Sequence, residues 1–157
     1  MRPIRNSAKA IIIRDGRLLA NKMMTADGPW YDLPGGGQEP GETLPEALRR
    51  ECREEAGVEV EVGGLRFVRD YISLNHEFAA EDAGLHMVAF FFTCTIAPVA
   101  EPALGPLPDG GPVSTQVGVE WLPIEELERF PLYPTALRPL IGDLTNPEHP
   151  VYLGDVN

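Results

Sequence analysis

The sequence contains only two cysteines, Cys52 and Cys94, and they lie far apart in the chain. Neither belongs to a CxxC or Cys/His pattern, so the sequence suggests neither a zinc site nor a disulfide framework. We therefore expect a reducing, cytoplasmic location. With 157 residues the chain is long enough to bury a core without cross-links, and we predict one domain over residues 1–157.

Long hydrophobic runs are also absent. The longest apolar stretch, Met87 to Phe92, is far too short to cross a bilayer. The N-terminal residues Met1 to Ser7 are not followed by the apolar core of a signal peptide. The sequence thus predicts no membrane partner and no secretion by the signal-peptide route.

Basic residues are scarce relative to acidic ones. Thirteen Lys and Arg stand against 24 Asp and Glu, which gives a formal net charge of −11. Most of the surface should repel a phosphate backbone, so we predict no duplex nucleic acid partner. A small anionic ligand needs a local site where backbone N–H groups, a few basic side chains or a bound cation reverse the field.

Short apolar segments with β-branched residues predict a β-sheet. Ala8–Arg14 and Arg17–Lys22 flank Asp15-Gly16, a dipeptide that favours a two-residue hairpin turn. The apolar stretch within His86–Ile96 suits a strand buried on both faces, so we expect the sheet to be mixed and central. The other predicted strands are Val58–Val62, Leu65–Leu74, Gln116–Leu122 and Val151–Leu153.

Two C-terminal segments and one long connection complete the pattern. Ile124–Phe130 and Pro134–Leu144 are predicted helices, the second weakened by Pro139. Ala97–Val117 is rich in proline and glycine and is longer than a usual connection. It either covers a site, makes a dimer contact or does neither, and we expect a monomer or a homodimer.

A glycine-rich loop precedes the best-defined helix of the sequence. Thr25–Gly41 is dense in Gly and Pro, and its centre at Leu33–Gly37 can bring bare backbone close to a ligand. Thr43 begins a capping box that predicts a helix start. The helix should run to about Ala56 and end at Gly57.

Three glutamates occupy the face of this helix that should turn inward. At 100° per residue, Glu51, Glu54 and Glu55 continue the arc of Leu44, Ala47 and Leu48. Like charges on such a face repel unless their pKa values rise or a cation neutralises them. Oxygen ligands select hard cations such as Mg²⁺. The alternative is a solvated acidic face balanced by Arg49, Arg50 and Arg53.

A longer spacing pattern favours the metal-binding interpretation. Gly36, five residues, Glu42, seven residues and then Arg50–Val58 resemble the complete Nudix box of the Nudix hydrolase family. Cys52 is the one mild departure, because a larger aliphatic residue is usual there. The resemblance implies an α/β/α sandwich around a central mixed sheet, in agreement with the predicted elements.

The resemblance also implies roles for individual residues. Arg50 would orient a ligand glutamate through a charge-assisted hydrogen bond, and Glu42 would be an auxiliary or substrate-binding carboxylate. Mg²⁺ is the implied cofactor, and substitution by Mn²⁺ stays open. Its implied ligands are the carboxylates of Glu51, Glu54 and Glu55 and a backbone carbonyl at Gly35 or Gly36.

The implied chemistry is metal-assisted cleavage of one phosphoanhydride bond by water. Glu54, Glu51 and Arg50 are the expected catalytic residues, with Glu54 favoured as the general base. The other candidate bases are Glu55, Glu77, Glu81, Asp82 and Glu120. Outside the box, the candidate substrate-binding residues are the aromatic pair Trp30 and Tyr31 and the carboxylates Glu77 and Glu120.

The substrate is less constrained than the chemistry. A (deoxy)nucleoside triphosphate, cleaved to a monophosphate and pyrophosphate, is favoured slightly over ADP-ribose, a nucleotide sugar or a dinucleotide. A Nudix module that binds nucleotide without hydrolysis would be expected to lack some metal-site carboxylates, and none is missing here. A structural protein with an acidic helix would bind no Mg²⁺ at all.

Overall fold

A computed structural model of the protein describes residues 2–105 and 115–157. It contains one α-helix, α1 (Leu44–Ala56), within these residues. The strands are β1 (Arg5–Arg14), β2 (Arg17–Thr25), β3 (Gly28–Asp32), β4 (Gly35–Gly37), β5 (Glu61–Ile72), β6 (His86–Thr95), β7 (Gln116–Pro123) and β8 (Tyr152–Asp155). Four 3₁₀ helices cover Ser73–Asn75, Ile124–Arg129, Thr135–Leu137 and Ile141–Asp143.

The strands form a mixed sheet, as predicted. Its order is β3-β2-β1-β6-β5-β8, with β4 paired to β1 and β7 paired to β2. β1 runs parallel to β6 and β5 runs parallel to β8, whereas the remaining pairs are antiparallel. The predicted hairpin joins β1 to β2, and Asp15 and Gly16 both adopt positive φ at its turn, 52° and 73°.

Each face of the sheet is covered by a different layer. Helix α1 packs on one face through a cluster that includes Leu48, Cys52 and Phe92. The 3₁₀ segments pack on the other face through Leu127, Leu137 and Ile141 against residues of the sheet. The class is thus the predicted α/β fold with a central mixed sheet.

The structure differs from the sequence-based prediction in three elements. The predicted helices Ile124–Phe130 and Pro134–Leu144 are short 3₁₀ helices, because prolines at 131, 134 and 139 remove N–H donors that longer helices need. The predicted strands Val58–Val62 and Leu65–Leu74 form one strand, β5, which begins only at Glu61. Its pairing with β6 is irregular between Val62 and Phe67.

The connection predicted at Ala97–Val117 is described only in part, since residues 106–114 lie outside the described ranges. Its first half contacts the end of α1, where the amide of Ala103 donates to the carbonyl of Ala56 at 2.9 Å. No described helix is long and apolar enough to span a membrane.

Candidate active site

The glycine-rich loop is held against β1 by backbone pairing. Gly35, Gly36 and Gly37 form β4, opposite Lys9, Ala8 and Ser7. Gly35 has φ of 137°, and a Cβ there would lie 2.0 Å from the carbonyl oxygen of Ala8. Only glycine fits this position, so the close approach of the loop to β1 depends on it.

Helix α1 has the predicted ends. Thr43 accepts a hydrogen bond from the amide of Glu46 at 3.2 Å, and Gly57 closes the helix in the left-handed conformation with φ of 64°. The buried stripe differs from the prediction. It continues from Leu48 through Cys52 and Ala56, and the three box glutamates lie beside it, partly exposed. The glutamates therefore border the core instead of replacing it.

Arg50 joins the helix to the loop. Its guanidinium donates to both carboxylate oxygens of Glu42, at 2.7 and 2.9 Å, and to the carbonyl of Gly37 at 3.0 Å. A fourth hydrogen bond reaches Glu51 Oε1 at 2.8 Å, while Glu54 lies 3.8 Å away. The hydrogen bond from Arg50, helped by one from the amide of Glu39, lowers the pKa of Glu42 to about 2. The paired charges fix the direction in which Glu51 points.

Glu51 and Glu54 form the acidic side of the site. The Glu51 carboxylate lies so close to the loop that a Cβ on Gly36 would be 2.6 Å from its Cδ. Partial burial and the neighbouring charge of Glu51 raise the pKa of Glu54, and Arg50 lowers it less. Two adjacent carboxylates with one cation between them leave negative charge that a metal ion would neutralise.

Glu55 is placed differently from the other two glutamates. Its Oε2 accepts hydrogen bonds from the amide of Gly35 at 2.8 Å and from Asn21 Nδ2 at 2.9 Å. Burial raises its pKa to about 7, although Lys9, Gly35 and Asn21 each oppose that rise. Glu55 thus connects α1 to the backbone of the glycine loop at Gly35.

The donor chemistry of this site suits a hard divalent cation. Carboxylates of Glu51, Glu54 and Glu55 and carbonyls of the glycine loop supply only oxygen. Within residues 2–105 and 115–157, however, no three acidic, His or Cys side chains converge closely enough to form a ready-made metal cluster. The ligand set that the box implies therefore stays a prediction.

A cavity of about 630 Å³ opens beside the loop. Its wall includes Trp30, Phe78 and Tyr133, with Tyr133 edge-on to both other rings at centroid distances of 6.2 and 5.3 Å. Lys9 and Asp32 line the cavity at its junction with the loop, where Lys9 Nζ donates to the carbonyls of Leu33 at 3.3 Å and Gly35 at 3.2 Å. Lys9 thus lines the cavity and also contacts the backbone of the glycine loop.

The predicted aromatic pair is divided between two environments. Trp30 lines the cavity. Tyr31 is buried against Phe130, and its hydroxyl donates to Glu120 Oε2 at 2.7 Å, so its ring is not open to a ligand. Tyr31 lies there because alternate residues of a strand face opposite sides of the sheet.

Glu77 and Glu120 have their polar partners outside the box, and their role in substrate binding stays a prediction. Glu120 is tied to Tyr31 and lies 3.9 Å from Lys22 Nζ, and Glu77 is exposed and accepts from Asn157 Nδ2 at 3.2 Å. The other two candidate bases outside the box, Glu81 and Asp82, line the cavity. Among the predicted residues, hydrogen bonds join Arg50 to Glu42 and Glu51, Gly35 to Glu55, and Tyr31 to Glu120.

Sequence reasoning missed three polar residues that support the site, Lys9, Asn21 and Asp32. Lys9 lies between Ala8 and Ala10, and Asn21 directly follows the apolar segment that ends at Ala20; this break in an apolar segment is the signal that was available. Asp32 immediately precedes the glycine-rich centre of the loop. Their partners, Gly35 and Glu55, are known only once the strands are paired.

Most of the chain matches the model of one protein family. The model of the NUDIX domain matches residues 3–142. The chain belongs to the Nudix family. A likeness in fold extends beyond the box, since the crystal structure of the MutT NUDIX hydrolase from Burkholderia pseudomallei superposes with a TM-score of 0.66 at 28% identity, over 92% of this chain and 100% of that one.

Two further relatives show how broad the likeness is. The nucleoside triphosphatase NudI of Enterobacter sp. (strain 638) is 37% identical over 92 residues, which cover 55% of this chain and 65% of that protein. An ADP-ribose pyrophosphatase from Streptococcus suis 89-1591 shares the Nudix fold with a TM-score of 0.62 at 20% identity, over 96% of this chain and 98% of that one. The match to the curated relative spans less than two thirds of its length.

Proposed function

We propose that this Nudix protein is a divalent-metal-dependent pyrophosphohydrolase that cleaves (deoxy)nucleoside triphosphates to a monophosphate and pyrophosphate. The observation that carries the proposal is the junction of two features on one loop. The box glutamates meet the loop from one side, at Gly35 and Gly36. An aromatic-walled cavity meets it from the other, at Lys9 and Asp32. A nucleotide has two matching parts, a polyphosphate and an aromatic base.

Glu51, Glu54, Glu55 and a carbonyl of Gly35 or Gly36 would hold the cation, with Mg²⁺ the favoured ion and Mn²⁺ the alternative. When bound, such an ion neutralises phosphate charge and lowers the pKa of a coordinated water. The resemblance of the chain to NudI supports a triphosphate substrate, since the relative is named a nucleoside triphosphatase.

The residues of the chain have separable roles in this proposal. Arg50 fixes Glu51 by a 2.8 Å hydrogen bond and is itself fixed by Glu42. Glu54, whose charge is only distantly paired with Arg50 at 3.8 Å, takes the proton of the attacking water.

The decisive experiment is product analysis with matched variants. Purified protein is incubated with nucleoside triphosphates, ADP-ribose, nucleotide sugars and dinucleoside polyphosphates, with Mg²⁺, with Mn²⁺ or with EDTA. We expect monophosphate and pyrophosphate from triphosphates, only with metal, and a loss of kcat of roughly 10²-fold or more in Glu54→Gln.

The control variant is Glu59→Gln, which removes an exposed carboxylate that pairs with Arg53, outside the site. It should match the wild type. Release of phosphate alone, turnover in EDTA, or equal losses in both variants would contradict the proposal. Turnover of ADP-ribose in preference to triphosphates would keep the site but change the substrate.

A further inference from the structure

Lysine is rare in this chain, and one of its two lysines lies in the wall of the cavity. The thirteen basic residues include only Lys9 and Lys22 as lysines. Lys9 faces the cavity because its neighbours Ala8 and Ala10 pack towards α1, and alternate residues of a strand face opposite sides. Its side chain stays 15% exposed, so a ligand in the cavity can reach it.

The ammonium group of Lys9 keeps one hydrogen-bond donor for a ligand. An ammonium group carries three N–H donors. The carbonyl oxygens of Leu33 and Gly35 accept from Nζ at 3.3 and 3.2 Å, which accounts for two of them. Among the described residues the closest carboxylate oxygen is Asp32 Oδ2, at 3.8 Å, beyond hydrogen-bond distance. The two carbonyls thus hold the ammonium group where the loop meets the cavity and leave one donor available.

The other cations near the site are already engaged or lie further from the loop. The guanidinium of Arg50 donates four hydrogen bonds to acceptors of the box and the loop. Arg69 Nη1 donates to the carbonyl of Val156 at 2.6 Å and to Asn157 Oδ1 at 3.3 Å. Arg69 also lies on β5, two strands away from β1, a spacing of about 10 Å. Lys9 is therefore the cation best placed to attract an anionic group at the junction of loop and cavity.

We propose that Lys9 is a substrate-binding residue that donates a charge-assisted hydrogen bond to the α-phosphate of the nucleotide. In a nucleotide the α-phosphate joins the nucleoside to the outer phosphates. With the base in the aromatic cavity and the outer phosphates at the box, the α-phosphate comes to the junction that Lys9 occupies. The inference rests on the proposed nucleotide substrate, and it gives a residue outside the box a role in holding the phosphate that the product keeps.

A nucleoside and its 5′-monophosphate differ only in the group that this contact recognises. The field of a protein with a net charge of −11 repels a phosphate, so an unassisted phosphate group weakens binding. A hydrogen bond between charged groups reverses this and contributes roughly 10-fold or more in affinity. The affinity ratio of monophosphate to nucleoside therefore measures the contact, while the nucleoside alone reports whether the cavity is intact.

A binding assay in EDTA tests the inference without catalysis or metal. Trp30 lines the cavity, and the second tryptophan of the chain, Trp121, packs under Arg14 outside it. In a Trp121→Phe background, quenching of Trp30 fluorescence reports binding of cytidine, CMP, adenosine and AMP. We expect each monophosphate to bind roughly 10-fold tighter than its nucleoside. Nucleosides that bind as tightly as their monophosphates would overturn the inference.

The matched variants are Lys9→Gln and Lys22→Gln. Lys9→Gln removes the charge but keeps two N–H donors for the carbonyls of Leu33 and Gly35. It should lower both affinity ratios to about one or below, with nucleoside affinities unchanged. Lys22→Gln removes the same charge on β2, where Nζ lies 3.9 Å from Glu120 Oε1, and should keep the wild-type ratios. Equal ratios in Lys9→Gln and the wild type contradict the proposed contact.

Acetylation of the unsubstituted protein tests the same contact if Lys9→Gln fails to fold. Because the chain has only two lysines, mass spectrometry follows both sites separately. Saturating CMP should slow the reaction of Lys9 with acetic anhydride more than saturating cytidine does, and Lys22 should react alike with either ligand. Equal protection of Lys9 by the two ligands overturns the inference. Protection specific to CMP without triphosphate hydrolysis would overturn only the proposed activity, and hydrolysis without such protection only the role of Lys9.

Discussion

At the scale of single residues, Glu55 has the most perturbed setting among the box glutamates. Its carboxylate is largely shielded from water, and Gly35, Asn21 and Lys9 compensate in part for the lost hydration. Its pKa of about 7 compares with an ordinary value of 4.5. The folded protein therefore binds a proton at Glu55 more readily than the unfolded chain does, so stability must depend on pH in this range.

We predict that metal-free wild-type protein loses stability as the pH rises from about 4.5 through 7, relative to Glu55→Gln. A raised carboxyl pKa contributes stability that is fully present below the unfolded value and lost above the folded one. Glu55→Gln stays neutral and keeps an acceptor for Gly35. Urea unfolding in EDTA at pH 5 and pH 8 should show the difference between the two proteins change by on the order of 3 kcal/mol.

Addition of Mg²⁺ at pH 8 provides a second arm of the same test. If Glu55 contributes to ion binding, Mg²⁺ should raise the unfolding free energy of the wild type more than that of Glu55→Gln. Parallel pH curves for the two proteins in EDTA would refute the assigned burial of Glu55. Equal responses to Mg²⁺ would remove Glu55 from the predicted ligand set.

At the scale of elements, the site is a loop wedged between β1 and α1. Two adjacent glycines face different neighbours. Gly35 approaches the backbone of Ala8, which cannot move without breaking the pairing of β1, whereas Gly36 approaches the Glu51 side chain. The same substitution at the two positions should therefore separate folding from activity.

We predict that Gly35→Ala destabilises the fold by about 3 kcal/mol or more, because both its positive φ and the clash with Ala8 oppose a side chain. Gly36→Ala should instead displace the Glu51 carboxylate and lower kcat roughly 10²-fold while the protein stays folded. Thermal unfolding and steady-state kinetics measure the two effects. Gly118→Ala is the control, since a Cβ there meets nothing within 4 Å.

If Gly36→Ala were as active as the control, the position of Glu51 against the loop would not matter for turnover. A Gly35→Ala protein with an unchanged melting temperature would show that the loop does not depend on its close approach to β1. Either result would weaken the proposal that the polyphosphate of the substrate binds at this loop.

At the scale of the whole molecule, charge limits which partners can approach. Because the net charge is −11, most of the protein repels phosphate groups, so phosphate binding depends on the charges within the site itself. Acidic residues also outnumber basic ones among the charged residues that line the cavity.

We predict no measurable binding of a labelled 20-base-pair DNA duplex at 150 mM salt. Non-specific duplex binding relies on neutralising phosphates with Lys and Arg, and typical dissociation constants for basic proteins are about 10⁻⁴ to 10⁻⁶ M. Fluorescence anisotropy should stay flat to protein concentrations of about 10⁻⁴ M. A salt-dependent rise below that concentration would reveal a basic surface that the overall charge conceals.

The sequence alone determined the features that are local in the chain. The turn at Asp15-Gly16, the cap at Thr43 and the end of α1 at Gly57 were predicted because each depends on residues within one turn. The family could be predicted from the spacing of residues between Gly36 and Val58, because this motif lies within one continuous loop and helix. The 3₁₀ segments were wrongly predicted as longer helices, because an apolar periodicity does not show how far proline shortens a helix.

Only the tertiary structure decided which groups meet across the chain. Lys9 and Asn21 reach the site from strands that are distant from the box in sequence, and their contacts depend on the pairing of β1 with β4 and of β2 with β3. Tyr31 and Trp30 are neighbours in sequence, yet the pleat of β3 sends one into the core and the other into the cavity. The sequence determines which chemical groups are present and how far apart they lie along the chain, whereas strand pairing determines which of them face one another.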